Sequence, residues 1–296
     1  MQRIFTYTIH KNFAGEPIIA VLRNHFQMSS SIIKTLKNTE NGIMVNGSSR
    51  RVDFILTPGD QLRLTLADGK SENIVPAKVD FEIVFEDEDL VIINKPSGVA
   101  THPSQGHYDN TLANGLMYYF AQKNEPYTFR AVNRLDKDTS GLLCTTKNSY
   151  AHSRLCAELH KRFERRYLAI VEGSLTKPGT IDSPIARCAD SMLERCVSPE
   201  GQPAVTHYRP LKTYRDFTLT ELRLETGRTH QIRVHMASIG HPLLGDWLYG
   251  KEDKTLFPRT ALHSSYIHFP HPVTGKPMEF TAPPAPDMMD FLNKLS

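Results

Sequence analysis

The densest set of reactive side chains lies in Asn133-Arg134-Leu135-Asp136-Lys137-Asp138-Thr139-Ser140-Gly141, which runs into the apolar Leu142-Leu143-Cys144. One reading is a plain turn, because Asp and Asn side chains bond their own backbone and Thr-Ser-Gly supplies more turn chemistry. The other makes Asp136 a carboxylate held at the rim of a sheet, with Arg134 projecting beside it; loops fixed by a rigid scaffold are where catalytic groups concentrate. A second group is Glu225-Thr226-Gly227-Arg228-Thr229-His230-Gln231-Ile232-Arg233-Val234-His235. Here Gly227 lets a strand turn closely into a helix beginning near Thr229. Arg228 either pairs a carboxylate from another loop at that junction or lies in solvent beside a capping Thr229. A third is Arg165-Arg166-Tyr167-Leu168-Ala169-Ile170-Val171-Glu172-Gly173. A Tyr opening an apolar strand is ordinary core; behind two arginines its ring can also wall a pocket for a flat base.

Several chemistries have no support. His230 and His235, five apart among thirteen histidines, face different sides of a helix, and no H-E-x-x-H set exists. No G-x-x-x-x-G-K-[ST] or G-x-G-x-x-G loop occurs, so no nucleotide cofactor is expected. The four cysteines, Cys144, Cys156, Cys188 and Cys196, form no C-x-x-C pair. The N-terminus lacks the apolar core of a signal peptide and no apolar run approaches membrane-spanning length, so a cytoplasmic location is expected.

The elements that must carry these residues can be read from their patterns. The 296 residues suggest about two domains. Ser29-Ser30-Ser31 can cap a helix over Ile32–Lys37, Asn46-Gly47 closes the strand Ile43–Val45, and Pro58-Gly59-Asp60 precedes a strand over Leu62–Leu66. This is a small α+β module, followed by a polar linker over 67–80. The second segment opens with a hairpin, Phe81–Phe85 and Leu90–Ile93, and a loop over Asn94–Gly98. Further strands are expected at Gly141–Thr145, Tyr167–Glu172, Val205–Tyr214 and Phe217–Glu225, the last with a bulge near Glu221-Leu222. Helices are expected at Thr111–Gln122, Ser149–Lys161 and Thr229–Ser238, and the His/Pro-rich tail His263–Pro286 as coil and short strands. Adjoining strands that outnumber helices predict an α+β fold on a mixed, largely antiparallel sheet flanked by helices.

Charge is unevenly spread. The chain carries a net +3, but residues 1–78 hold ten Lys/Arg against six Asp/Glu, whereas the remainder is slightly acidic. Within that remainder, Lys147–Arg166 holds six Lys/Arg against two Glu. A basic first module and a basic strip within the second are the footprint of a polyanionic partner, but charge alone fits a solvated helix face better.

Taken together the motifs resemble the RluA/RluD-type RNA pseudouridine synthases. The resemblance rests on N-R-L-D-K-D-T-S-G-L-L at 133–143, R-R-Y-L-A-I-V-E-G at 165–173 and E-T-G-R-T-H-Q-I-R-V-H-M-A-S-I-G-H-P-L-L-G-D at 225–246. It is supported by I-N-K-P-S-G-V-A-T-H-P at 93–103 and L-H-S-S-Y-I-H-F-P-H-P-V-T-G at 262–275. Residues 1–75 resemble a ribosomal-protein-S-four-like RNA-binding domain, leaving 80–296 as the catalytic domain. The resemblance implies conversion of uridine in folded RNA to pseudouridine, with no redox cofactor, metal or phosphate donor. Ribosomal RNA is the first candidate substrate and transfer RNA the second, and a monomer is expected. It implies that Asp136 starts the reaction, that Arg228 pairs with Asp136, and that Tyr167 stacks on the uracil. Arg134 would enter the stack the base has left, while Asn94, Lys95, His102, Thr139, His230 and Arg233 would contact substrate. The family often has His where this chain has Asn133, a change expected to bear on RNA contacts. Two other classes compete: a non-catalytic RNA-binding ribosome-assembly factor on the same fold, and a glycoside hydrolase, which normally needs two carboxylates.

Overall fold

The computed structural model describes residues 2–69 and 73–295. The first unit contains β1 (Gln2–Thr8), α1 (Ile18–Ala20), α2 (Ser30–Asn38), β2 (Ile43–Val45), β3 (Ser48–Ser49) and β4 (Gln61–Ala67). Its four strands are ordered β1-β4-β2-β3. The Ser29 side chain accepts from the Ile32 N–H, so the expected cap starts α2, and Ile32, Ile33 and Leu36 face inward. Strand β1 was not expected; its mostly solvent-facing residues leave little periodicity to read.

The second unit contains β5 (Glu82–Glu86), β6 (Leu90–Lys95), α3 (Leu112–Gln122), β7 (Ser140–Thr146), α4 (Ser149–Glu158), β8 (Glu164–Glu172), β9 (Gly179–Asp182) and β10 (Ile185–Arg187). It continues with β11 (Arg195–Val197), β12 (Val205–Thr213), β13 (Phe217–Leu224), α5 (Gln231–Ser238), β14 (Leu262–Pro270), β15 (Pro277–Thr281) and α6 (Pro286–Lys294). One large sheet runs β5-β6-β7-β14-β8-β13-β12-β9, with β15 also on β14. The expected α+β class and largely antiparallel sheet are borne out. Among the described residues, β7–β14 is its only parallel pairing, with Ser140 opposite His263 and Gly141 opposite Ser264.

Strand β7 is buried along its whole length because both faces of the sheet are covered. Leu143 packs with Leu112, Leu116 and Phe120 of α3. Leu142 and Cys144 pack on the other side with Leu155 of α4, Phe163 and Phe269. The junction that feeds the 133–139 loop into β7 depends on Gly141. It has φ +104°, and a Cβ there would lie 2.2 Å from the Ser264 carbonyl oxygen.

Four expectations change. The His/Pro-rich tail contributes β14, a nine-residue strand in the middle of the sheet, whose buried His263 and Ser264 hide its strand character. Asn94 and Lys95 end β6 rather than starting a loop. The register shift falls in β12 between Pro210 and Lys212, where proline has no N–H to donate, and not at Glu221-Leu222. In β13, Thr218, Thr220 and Leu222 all face inward, so the slip in hydropathy reflects buried threonines, not a bulge. Finally, α5 begins at Gln231, after His230 in the left-handed region at φ 58°.

The first unit is docked on the second. The Tyr150 ring of α4 is part of its core beside Phe5, 5.2 Å away in an edge-on contact. Burying a side chain of that size contributes roughly 1.5–3 kcal/mol. The Tyr150 hydroxyl donates to the Phe26 carbonyl at 3.0 Å, and Arg3 donates to both oxygens of the buried Asp89 at 2.8 and 3.0 Å. The expected linker is tied down on both sides of residues 70–72, which lie outside the described residues. Asp68 accepts from the Ser149 N–H at 2.7 Å, and Asn114 donates to the Val75 carbonyl at 2.7 Å.

Candidate active site

A cleft of about 720 Å³ opens over the ends of β7, β8 and β13. It is lined by Arg134, Asp136 and Thr139 from the loop before β7, Arg165 and Tyr167 from β8, and the 227–233 junction into α5. His102 lies at its edge, packed against Phe129.

The 133–139 loop is held from several sides. The Thr139 N–H donates to the Asp136 carbonyl at 3.1 Å, closing the turn. Thr101 Oγ1 donates to the Leu135 carbonyl at 2.8 Å, and Arg259 Nη1 to the Asp138 carbonyl at 2.9 Å. Arg259 is itself fixed by two bonds to Asp287 at the start of α6, at 2.6 and 2.8 Å. The Asp136 carboxylate stands at the rim, about one-third exposed.

Arg233 is the cation that meets Asp136. Its Nη1 donates to Asp136 Oδ2 at 3.3 Å, while Nε and Nη2 each donate at 2.7 Å to the fully buried Asp246. Although burial opposes the charge, Asp246 and then Asp136 raise its affinity for the proton above the ordinary guanidinium value. A bidentate pair of this kind fixes both distance and angle. His230 brings Nε2 to 3.9 Å from Asp136, and its Nδ1 hydrogen-bonds with the Tyr249 hydroxyl at 2.8 Å. Burial lowers the His230 pKa, Asp136 opposing and Arg233 adding to the shift.

Gln231 explains why the junction takes this shape. Its Oε1 accepts from the Arg228 N–H at 2.9 Å and Thr226 Oγ1 at 2.8 Å, and its Nε2 donates to the Val205 carbonyl at 2.9 Å. This pins the first turn of α5 to the edge of β12, so that Arg233 points back toward Asp136.

Tyr167 is buried in the cleft wall. Burial raises its pKa above the ordinary phenol value, with Arg165 opposing and Asp136 adding to the rise. The hydroxyl is therefore neutral at pH 7, a flat face with a proton to donate. Arg134 is exposed at the mouth and makes no hydrogen bond or ion pair among the described residues. Its charge, after partial burial, helps hold the His102 pKa below its ordinary value.

This arrangement has relatives. Residues 89–238 match the RNA pseudouridylate synthase family. The chain is 39% identical to an uncharacterised RNA pseudouridine synthase of Bacillus subtilis, YlyB, over 94% of this chain and 98% of that protein. It is 38% identical to the ribosomal large subunit pseudouridine synthase D of Escherichia coli, over 98% of this chain and 94% of that one. The chain belongs to the RluA/RluD-type RNA pseudouridine synthases. Among solved structures it resembles human RNA pseudouridylate synthase domain containing 1, with a TM-score of 0.59 at 27% identity, covering 71% of this chain and 86% of that one. Membership of an enzyme family sets aside the glycoside hydrolase and the non-catalytic assembly factor.

Within this pseudouridine synthase, several residues sit elsewhere than expected. Arg228 lines the cleft but does not pair with Asp136; it donates to the Pro203 carbonyl at 3.0 Å and Gln202 Oε1 at 2.7 Å. Arg233, five residues further on and inside α5, has that place. Asn94 lies outside the cleft and donates to Glu82 across the β5–β6 hairpin at 2.8 Å. Lys95 is fully buried and does not line the cleft. Its ammonium donates to the carbonyls of Pro96, Val99 and Lys137 at 2.8, 2.7 and 3.0 Å, so it supports the Asp136 loop from below. Asn133 lies buried in the cleft lining; its Oδ1 accepts from the Cys144 N–H at 2.8 Å, extending the β7 ladder.

The basic strip at 147–166 is also mostly spent internally. Lys147 is buried on Glu86 at 2.7 Å, Arg162 and Arg166 pair with Glu158 and Glu164, and Arg154 hydrogen-bonds to Gln27. Lys161 alone of the six remains exposed without an ion pair among the described residues. Asp246, Tyr249, Gln231 and Arg259 were not singled out from the sequence. The first two follow α5 in a segment whose local pattern says nothing of what it faces.

A compact acidic group, Asp87, Asp89 and His271, lies away from the cleft where the two units meet. Its oxygens are already engaged by Arg3, Asn148, His271 and the N–H groups of Asp89 and Leu90. It reads as a fastening.

Proposed function

We propose that this enzyme isomerises uridines in folded ribosomal RNA, with Asp136 as the carboxylate that begins the reaction. The observation that carries this is the Asp246–Arg233–Asp136 chain at the rim of a cleft walled by Tyr167. The bond between the anomeric carbon and the base nitrogen breaks, the uracil turns, and a bond to its carbon five forms. Carbon five loses its proton and the ring nitrogen freed from the sugar gains one, so atoms balance and no electrons enter or leave. Arg233 meets Asp136 through Nη1 and fixes where its carboxylate points. Tyr167 supplies a face for the uracil; its raised pKa keeps the hydroxyl neutral, so it can stack and donate a hydrogen bond rather than act as a free base.

A stacked uridine reaches this cleft only by leaving the helix, at a cost of a few kcal/mol. Arg134, unbonded at the mouth, is suited to fill the gap, with His102 beside it. Thr139 and His230 complete the wall around Asp136. The first unit presents Lys11, Arg23, Lys34, Lys37, Arg50, Arg51 and Arg63 to solvent, and we assign it the role of gripping RNA phosphates. The relative named as a ribosomal large subunit synthase supports ribosomal RNA as the substrate over transfer RNA. We take it to work in the cytoplasm and to act as a monomer.

The test is to map pseudouridine in ribosomal and transfer RNA from cells with and without the gene. Loss of specific sites in large-subunit ribosomal RNA, restored by the purified protein, is the expected result. Unchanged maps contradict it.

A further inference from the structure

Arg165 is a buried cation with no counter-charge. It is 4% exposed, lies two residues before Tyr167 on β8, and lines the cleft between Tyr167 and Gly227. Its Nη2 makes only long bonds to the carbonyls of Thr226 at 3.3 Å and Leu159 at 3.5 Å, and its buried Nε has no partner. No carboxylate pairs with it among the described residues, whereas the nearby buried Arg233 and Arg259 each hold a carboxylate by two bonds. Burial without an anion lowers the proton affinity of its guanidinium, though an Arg side chain stays charged in a protein. Buried charges are normally paired, because leaving one unpaired is costly.

The surroundings are shaped to leave this side chain room. Gly227 faces it, and a Cβ at that position would lie 2.8 Å from Arg165 Nη1. The Arg165 fork is therefore a positive charge without an anion in the wall of the cleft, beside the Tyr167 ring.

We propose that Arg165 binds the phosphodiester that flanks the flipped uridine, on the assumption that the enzyme acts on RNA as inferred above. Uracil is neutral, so the anion an RNA strand brings into this cleft is its backbone phosphate. The planar guanidinium suits two non-bridging oxygens. With that bond made, the nucleotide is held at two points, its ring against Tyr167 and its phosphate on the same strand.

The experiment uses a synthetic RNA hairpin carrying the uridine that the mapping identifies, with a neutral methylphosphonate placed just 5′ or just 3′ of it. For the wild-type protein, one of the two replacements should lower kcat/KM by about 10- to 100-fold, the size of a lost hydrogen bond to a charged group. The same replacement should leave Arg165→Gln, already slower on the natural hairpin, unchanged within about twofold. Arg165→Lys, keeping the charge without the fork, should fall between. Circular dichroism and thermal midpoints establish that the variants fold, and the wild-type arm needs no variant. A wild type indifferent to both methylphosphonates overturns the assignment, as does an equal loss in wild type and Arg165→Gln. If the wild-type protein forms no pseudouridine in any mapped RNA, the functional reading fails and takes this one with it.

Discussion

Arg233 donates to Asp246 through two nitrogens at 2.7 Å and to Asp136 through the third at 3.3 Å, so a buried carboxylate aims the cation at a half-buried one. The arrangement ranks two arginines that the sequence alone does not separate. Arg233→Gln should lower kcat by about 10²–10³-fold, the usual cost of one preorganised electrostatic partner, with RNA affinity nearly unchanged. Asp246→Asn should follow it in direction. Arg228→Gln, whose guanidinium is turned to Gln202 and Pro203, should cost less than about tenfold in the chemical step. Single-turnover rates on the same RNA check all three, and the reverse ranking contradicts the geometry.

Lys95 acts on the loop from the opposite side. Lys95→Met leaves three carbonyls, one of them on Lys137, without their donor. Thermal or urea unfolding should show a loss of about 1–3 kcal/mol or more, and kcat should fall while RNA affinity holds. A variant as stable as the wild type would show that the three bonds contribute little.

The fold and the site were legible to different depths. The hairpin of β5 and β6, the cap of α2 and the buried run of β7 could all be read because local pattern and final environment agree. Strand β14 could not, since its buried positions include His263 and Ser264, whose Nδ1 and Oγ find their partners, Ser140 and Leu142, only far away in sequence. Asp136 and Tyr167 stood out by motif. The partner of Asp136 did not, because Arg228 and Arg233 share one short motif. What separates them is the left-handed turn at His230 and the distant Asp246.

His263 ties β14 to Ser140 at the entry to β7, with Nδ1 2.9 Å from the serine hydroxyl. Burial holds its pKa down at about 4 against an ordinary 6.5. Between those values the unfolded chain takes up a proton that the folded form refuses. The stability contributed by neutral His263 is therefore fully present above pH 6.5 and is lost as pH falls toward 4. Thermal midpoints should drop more steeply over that window for the wild type than for His263→Gln. Parallel curves would remove His263 from the account of acid sensitivity.

For the first unit, paired substitutions on its surface test phosphate binding without undocking it. Lys34 and Lys37 are exposed on α2, whose buried face is carried by Ile32, Ile33 and Leu36, and neither makes an ion pair among the described residues. Replacing both by Ala should weaken RNA binding, and the slope of log K against log salt should fall by about 0.7–0.9 for each phosphate that a lysine no longer neutralises. The maximal rate at saturating RNA should not change. An unaltered slope means this face does not meet RNA.

The central claim is that Asp136 performs the isomerisation. RNA labelled with tritium at carbon five of uridine releases that label only when the base is reattached through carbon five, so release reports the complete reaction. Asp136→Asn removes the charge with little change of shape. The account predicts that this variant binds the RNA as tightly as the wild type and releases no label above background; label release at a wild-type rate would contradict it.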